Sequence, residues 1–402
     1  MAAPKIASME VAPLSVKTTP EDKRVKAEEL ELIYRDEPTV FNSVNKVVEL
    51  IMATDRELIG SKESVDKTQR FLNQIGSRGG QLEWEDWLRR VIHHQCMYGR
   101  SFSENIFNKS ETKLLDLDII DPKKMDYAKT FDGKILLDSV SNPVGYVETL
   151  PQLNYTGKLE SDPIPDGLAL QSNQIFFKPE RIAHFKMYTY GDGFYGLGLI
   201  EPVYQTAINK IEMEKALTNV YLQVGFPTRI AKIGDQFHEP TEQLLESTKK
   251  KLQDASYRST FAIPHYVDMS ILEPKRPERL KEHLVHFVNE IATGIGVPKA
   301  IATGVGEETN RATLNRQEYI FKLTLRGVIK RTSRVIEKQI FTKFAELEGL
   351  KDVPRLKWGE IALEEMSGKA ERLTEYAKVG LLTPNPDTER FIRKSEGLPV
   401  RE

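Results

Sequence analysis

Seven histidines and a single cysteine, Cys96, have the widest chemical repertoire in this 402-residue chain, and their spacing limits what they can do. His93 and His94 are adjacent, so on a helix they point in different directions, while His283 and His286 are three apart and share a face. Two imidazoles at that spacing suit a metal. The remaining donors, Glu282, Glu290 and His265, make an improvised ligand set, and a partly exposed structural pair fits the pattern better. Cys96 carries no nucleophile signature and reads as a small buried hydrophobe. No G-x-S-x-G elbow, H-E-x-x-H pair or Walker motif occurs. The glycine-rich run from Tyr188 to Gly198 has the outline of a phosphate cradle, but it lacks the Walker lysine and the dinucleotide spacing. The sequence therefore assigns no catalytic, metal or cofactor residue, and the expectation is a protein that is not an enzyme.

The elements that position these residues centre on Pro277 to Glu348. Leu280, Leu284, Phe287, Val288, Ile291 and Ile295 recur at steps of three and four, which predicts an amphipathic helix. It stops at Gly294-Ile295-Gly296-Val297-Pro298, where glycine allows a left-handed cap and proline cannot continue the helix. Ala302 to Asn310 holds two glycines and no large apolar side chain beyond Val305, so an exposed mobile loop is expected. From Arg311 a helical pattern of about thirty-five residues runs through Ile320, Leu323, Val328, Ile336, Ile340, Phe344 and Leu347. Its many cations, among them Arg326, Lys330 and Arg334, read either as a solvated face or as one aimed at nucleic acid or an acidic neighbouring subunit.

Composition narrows the classes. With 57 basic and 59 acidic side chains the net charge is −2, so tight non-specific gripping of DNA through phosphates is not expected. One cysteine rules out an intrachain disulfide and fits a reducing, intracellular compartment. Neither a signal-peptide core near the N-terminus nor an apolar run of about eighteen residues is present, so export and membrane insertion are not predicted.

Taken in order, residues 1–36 mix prolines with charges and read as a poorly ordered arm. Helices are predicted at Phe41 to Met52 and at Trp84 to Met97. Short strands follow at Ser101 to Asn108, Leu114 to Ile120, Lys134 to Asp138 and Val144 to Leu150, and another at Arg181 to Lys186 after Ile175-Phe176-Phe177. A helix from Leu199 to about Val224 presents Ile200, Val203, Ala207, Ile208, Ile211, Leu217 and Val220 mostly on one stripe. It leads into a strand at Thr228 to Ile233, a charged helix at Thr241 to Ala255 and two strands, Ser259 to Pro264 and Tyr266 to Glu273. That excursion sits between two helices able to run side by side. After the long basic helix come a strand at Arg355 to Trp358, a helix at Ala362 to Lys378 and a last short helix beginning at Pro386 to Arg393. The fold class is α+β, predominantly helical.

The order of these parts resembles the portal, or head–tail connector, proteins of tailed bacteriophages and related archaeal viruses. The matching pieces are Ile182-Ala183-His184-Phe185 leading to Gly196-Leu197-Gly198-Leu199-Ile200, the Gly225-Phe226-Pro227 exit, Ile291-Ala292 to Gly296-Val297-Pro298, and Val379-Gly380-Leu381-Leu382-Thr383-Pro384-Asn385. What the resemblance implies is a ring, usually of twelve subunits, at one capsid vertex, with double-stranded DNA passing through its channel and held weakly and without sequence preference. In those terms 1–36 is an arm, 37–198 a mixed helix-sheet wing, 199–224 and 276–297 the two stem helices, and 225–275 a β-α-β clip. Residues 298–310 form the tunnel loop, 311–349 a wing-spanning helix, and 350–402 a C-terminal segment and short helical crown. The clip would meet the packaging motor (terminase) and the head–tail adaptor, and the wing the major capsid and scaffolding proteins. The resemblance implies a virion component assembled in the host cytoplasm, with no membrane partner and no cofactor.

Two residue sets follow. Thr303, Gly304, Gly306, Glu307, Glu308, Thr309, Asn310 and Arg311 are the expected channel loop, and Ile200, Val203, Ile211, Leu284, Phe287 and Ile291 the expected ring-assembly face of the stem. Long helices packing on equivalent helices of the next copy suit the heterologous interfaces of a closed ring. Two other readings stay open: another structural head–tail adaptor or capsid protein, or a nucleic-acid motor subunit, which would need an ATP or metal site.

Overall fold

The computed structural model describes residues 25–76, 82–150, 161–189, 193–225, 228–234, 239–253, 267–272, 280–304, 311–361, 374–380, 385–386, 389–390 and 393. The chain divides into two compact units, one of Met1–Val48 with Phe71–Glu307, the other of Glu49–Arg70 with Glu308–Glu402.

The first unit holds α1 (Ala27–Asp36), most of α2 (Pro38–Met52) and α4 (Trp84–Tyr98), while β1 (Arg56–Ile59) and most of α3 (Lys62–Gln74) belong to the second. Ala27–Asp36, expected to lie within a poorly ordered arm, is thus helical. Leu30 and Ile33, three apart, bury one side of α1, which packs on α4, and the Tyr34 ring lies 5.1 Å from that of Phe41. Helix α4 is the core element: Trp87, Leu88, Val91, Ile92 and Cys96 are fully buried, and the Trp87 indole donates to Ser103 Oγ at 3.0 Å.

That helix lies against a three-stranded antiparallel sheet of order β3-β2-β7, built from β2 (Arg100–Phe107), β3 (Leu114–Ile120) and β7 (Ile182–Lys186). A second sheet joins β4 (Met125–Tyr127), β5 (Tyr146–Thr149) and β6 (Gln174–Phe177). The strand expected at Lys134 to Asp138 is reduced to isolated bridges, Lys129 with Ile135 and Leu137 with Pro143. Phe131 and Val140, which flank it, are largely exposed, while Ile135 and Leu136 pack against two separate core clusters.

The glycine-rich run closes on the end of α4. There β8 (Tyr188–Thr189) pairs with β9 (Gly196–Leu197). Gly99 caps α4 with φ 75°, and a Cβ on it would lie 2.5 Å from Gly196 O and from Gly198 N. One on Gly196 would lie 2.0 Å from Gly99 O, and one on Gly198 2.6 Å from Met97 O. Two backbones cross here with no room for a side chain between them. Backbone hydrogen bonds from Met187 N to Gly99 O (2.8 Å) and from Leu199 N to Cys96 O (2.7 Å) lock the crossing.

Beyond it, a 3-10 turn at Glu201–Val203 leads into α5 (Tyr204–Gly225). The excursion follows as β10 (Thr228–Ile233), α6 (Glu242–Gln253) and β11 (Val267–Leu272), with β10 and β11 antiparallel. The strand expected at Ser259 to Pro264 lies outside the described residues. Helix α7 (Leu280–Ile295) returns along α5, and α8 (Lys299–Thr303) follows it.

In the second unit α9 (Arg311–Val335) continues through a π-helical segment, Ile336–Phe341, into α10 (Thr342–Leu347). The wider π turn lets Ile336, Ile340, Phe341 and Phe344 all reach the core, and the Thr342 hydroxyl takes the Glu337 carbonyl at 2.8 Å. The buried stripe upstream is Phe321, Leu325, Val328 and Ile329; Ile320 and Leu323, expected on that stripe, are about half exposed. Strand β12 (Arg355–Trp358) pairs antiparallel with β1, and Asp352 accepts hydrogen bonds from Ser61 and Ser64. Most of the helix expected at Ala362 to Lys378 lies outside the described residues.

Candidate assembly and channel surfaces

Helices α5 and α7 are antiparallel, since the C-terminal end of α7 lies against the start of the α5 segment. A Cβ on Gly294 would come within 2.3 Å of Val203 Cγ1. At this end Ile200, Val203 and Ala207 meet Ile291, Ala292 and Ile295 in a fully buried patch. Three of the six stem residues expected to face a neighbour, Ile200, Val203 and Ile291, are thus spent inside the subunit. Ile211, Leu284 and Phe287 are only half-buried. Further along α5, Leu217 and Val220 are half-buried, and Tyr221 and Leu222 are 60% and 55% exposed. Among the described residues of α5, the exposed large apolar side chains thus lie toward its C-terminal end.

A buried ion pair marks where the covered part of α5 ends. Lys210 Nζ lies 2.9 Å from Glu37 Oε2 and 2.7 Å from Glu214 Oε1, and the Glu37 side chain is fully buried. Burial pulls the Lys210 ammonium pKa down, but the hydrogen bonds to Glu214 and Glu37 outweigh it and hold the pKa above its ordinary value. Glu37 also accepts from the Thr39 N–H at 3.0 Å, so its charge is satisfied from two directions.

The expected channel loop divides in two. Ala302 and Thr303 are not loop: they form the last turn of α8, where the Thr303 hydroxyl donates to Lys299 O at 2.9 Å and Ala302 is buried. Asn42 Nδ2 donates to the Ala302 carbonyl. Gly304, at φ 68°, closes the helix through its N–H to Ala300 O. Pro298 at the helix start was the signal that this segment could turn again. Gly306, Glu307, Glu308, Thr309 and Asn310 lie outside the described residues, and Arg311 opens α9.

Among the described histidines, His93, His94, His184 and His286 have ordinary structural contacts. His93 Nε2 is 3.0 Å from Tyr34 OH, which donates to Asn45 Oδ1. Burial, with a smaller contribution from the neighbouring His93, lowers the His94 pKa to about 4. His184 is fully buried, its Nδ1 3.2 Å from Tyr127 OH and 3.3 Å from Tyr146 OH, and burial pushes its pKa well below the ordinary range. His286 and Glu290 form an exposed pair on α7 at 3.3 Å. Among the described residues no group of three or more His, Cys, Asp or Glu side chains is placed to hold a metal. His265 lies outside the described residues.

The basic face of α9 is partly built into a groove of about 920 Å³. Arg326, Lys330 and Arg334 line one wall, and Lys357 and Trp358 of β12 lie on the other. Sequence periodicity located the cations. The part played by Trp358 depends on a strand pairing across some three hundred residues, which no local pattern carries.

Comparison with known proteins adds the wider context. A family model described as the portal protein of Mu bacteriophage matches residues 28–398. Among solved structures, the chain superposes on one from the virion of a native gene transfer agent particle with TM-score 0.60 and 17% identity, covering 93% of this chain and 94% of that one. It superposes on the neck of an empty gene transfer agent particle, computed with C6 symmetry, with TM-score 0.61, 17% identity and the same coverage. For the neck of the native particle, computed with C12 symmetry, the values are 0.60 and 16%. These likenesses establish a shared fold. No curated protein matches.

Proposed function

The chain belongs to the family described as the portal protein of Mu bacteriophage, and from that premise we propose that it forms a ring at a capsid vertex through which a viral genome enters and leaves. The observation that carries the reading is the family match over nearly the whole chain. The stem agrees with it physically. Half of its expected assembly residues complete the subunit's own core, and the other half, Ile211, Leu284 and Phe287, leave apolar surface for an equivalent helix of the next copy.

In this reading the ring has about twelve subunits, in keeping with its family. The β10-α6-β11 excursion is the clip that meets the packaging motor and the head–tail adaptor. The α4-centred region is the wing that meets the capsid and scaffolding proteins. The loop after Gly304 lines the channel, where Glu307 and Glu308 repel phosphate, Thr309 and Asn310 offer neutral hydrogen bonds, and Arg311 supplies one attraction. Weak, sequence-independent contact of this kind lets a duplex slide without deep minima. The protein acts as a structural component of the virion, and no reaction is assigned to it. Negative-stain imaging of the purified chain tests the proposal. A ring with an axial hole is the expected result, and a stable monomer or dimer at micromolar concentration overturns it.

A further inference from the structure

The groove between α9 and β12 has a floor and walls of different chemistry. Ile329, Leu356 and Ile361 are buried beneath it. Above them Arg326, Lys330 and Arg334 stand four residues apart on α9, all exposed, with Lys357 opposite. Four cations against two carboxylates, Glu337 and Glu360, give the lining a net positive charge. Glu337 is already engaged, since its Oε1 accepts from Leu356 N at 3.1 Å.

Two hydrogen bonds fix the direction of the walls. Leu356 meets Glu337, and two residues later the Trp358 indole donates to Ser333 Oγ at 2.7 Å, four residues back along the helix. Strand and helix therefore run antiparallel, side by side. Four helical residues rise about 6 Å, and two residues of extended chain span about 6.6 Å. A third extended segment laid along the groove would thus place every second side chain opposite successive cations of α9, with the intervening side chains turned to the apolar floor.

We propose that this groove is a docking site for an extended segment of another protein in which acidic and apolar residues alternate. Charge complementarity and the matched spacing select it. A DNA backbone would leave the apolar floor unfilled and bring phosphate against Glu360. The Arg56 guanidinium stacked 5.2 Å over the Trp358 ring holds that ring in place.

The test uses the full-length protein and a fluorescein-labelled peptide of sequence Val-Glu-Val-Glu-Val-Glu, read by anisotropy. Saturable binding is expected. It should weaken about tenfold or more with Lys330→Glu combined with Arg334→Glu, and fall with added salt. A Val-Lys peptide and a Ser-Glu peptide, applied to the unaltered protein, should bind far more weakly. They decide the matter on their own if the charge-reversed variant does not fold. Failure of the Val-Glu peptide to bind, equal binding of either control peptide, or undiminished binding by a folded charge-reversed variant overturns the proposal. So does displacement of the peptide by a DNA duplex, which would make the groove a nucleic-acid surface. Dissociation of the assembled ring by the peptide would also overturn it, because a neighbouring copy would then be the natural occupant.

Discussion

Gly294 on α7 faces Val203 so closely that the smallest possible side chain would collide with it: a Cβ would lie 2.3 Å from Val203 Cγ1. Val203 is buried and β-branched, so it cannot turn aside at low cost. Gly294→Ala is expected to gain about 1 kcal/mol of helix propensity but to lose about 1–3 kcal/mol to overpacking, for a net destabilisation in urea unfolding. In a Val203→Ala background the same change should be neutral or stabilising. Additive effects would show that the two do not touch.

The crossing at Gly99 gives a sharper contrast. Gly99→Ala meets backbone atoms of Gly196 and Gly198, which have no rotamer to change, at a positive φ. A loss of about 4 kcal/mol or more is expected, seen as insoluble protein or a collapsed melting transition. Gly133 also has positive φ, 77°, but nothing lies within 4 Å of its Cβ position. Gly133→Ala should cost only about 1–2 kcal/mol.

Burial sets a pH dependence. With a pKa of about 4, His94 stays neutral in the folded protein while the unfolded chain takes up a proton near pH 6.5. Stability attributable to His94 is therefore complete above about pH 6.5 and declines as the pH falls. Near pH 4 the loss reaches about 3 kcal/mol, and it grows no further below that. His184 has the same sign. The stability difference between the unaltered protein and His94→Gln, followed by urea unfolding from pH 7 to pH 4, should change in favour of the variant as the pH falls. A constant difference would contradict it.

Burial on α7 distinguishes a residue of the subunit's own core from one proposed to serve assembly. Ile291 is fully buried in the subunit, whereas Phe287 is half-buried. Ile291→Asp should unfold the chain, at a cost of several kcal/mol for a buried unpaired charge. Phe287→Asp should leave a folded subunit by circular dichroism that sediments as a monomer. Normal rings from the second variant would show that its face is not an interface.

Much of this architecture was legible in local spacing. The steps of three and four through Leu284, Phe287 and Ile291 gave α7, and the Gly296-Val297-Pro298 stop gave its end. Local spacing failed where long-range packing decides. Leu30 and Ile33 look unremarkable among charges until α4 is present to cover them. Ala302 looks like loop until Asn42, 260 residues earlier, takes its carbonyl. Ile320 and Leu323 fit an apolar stripe as well as Phe321 does, and only the packed unit distinguishes them. The glycine-rich run was recognisable as unsuited to phosphate, but its purpose required the second backbone that it crosses.

That crossing also has a mechanical meaning. Side-chain contacts yield under load because rotamers change and gaps close. Backbone pressed on backbone and pinned by hydrogen bonds on both sides has almost no such compliance. Leu199, two residues before the turn that opens α5, is held through its N–H by Cys96 O of α4, so a thrust along α5 would meet this rigid contact first. The joint between α5 and α4 is therefore expected to be stiff, with any softness of this unit elsewhere along the chain.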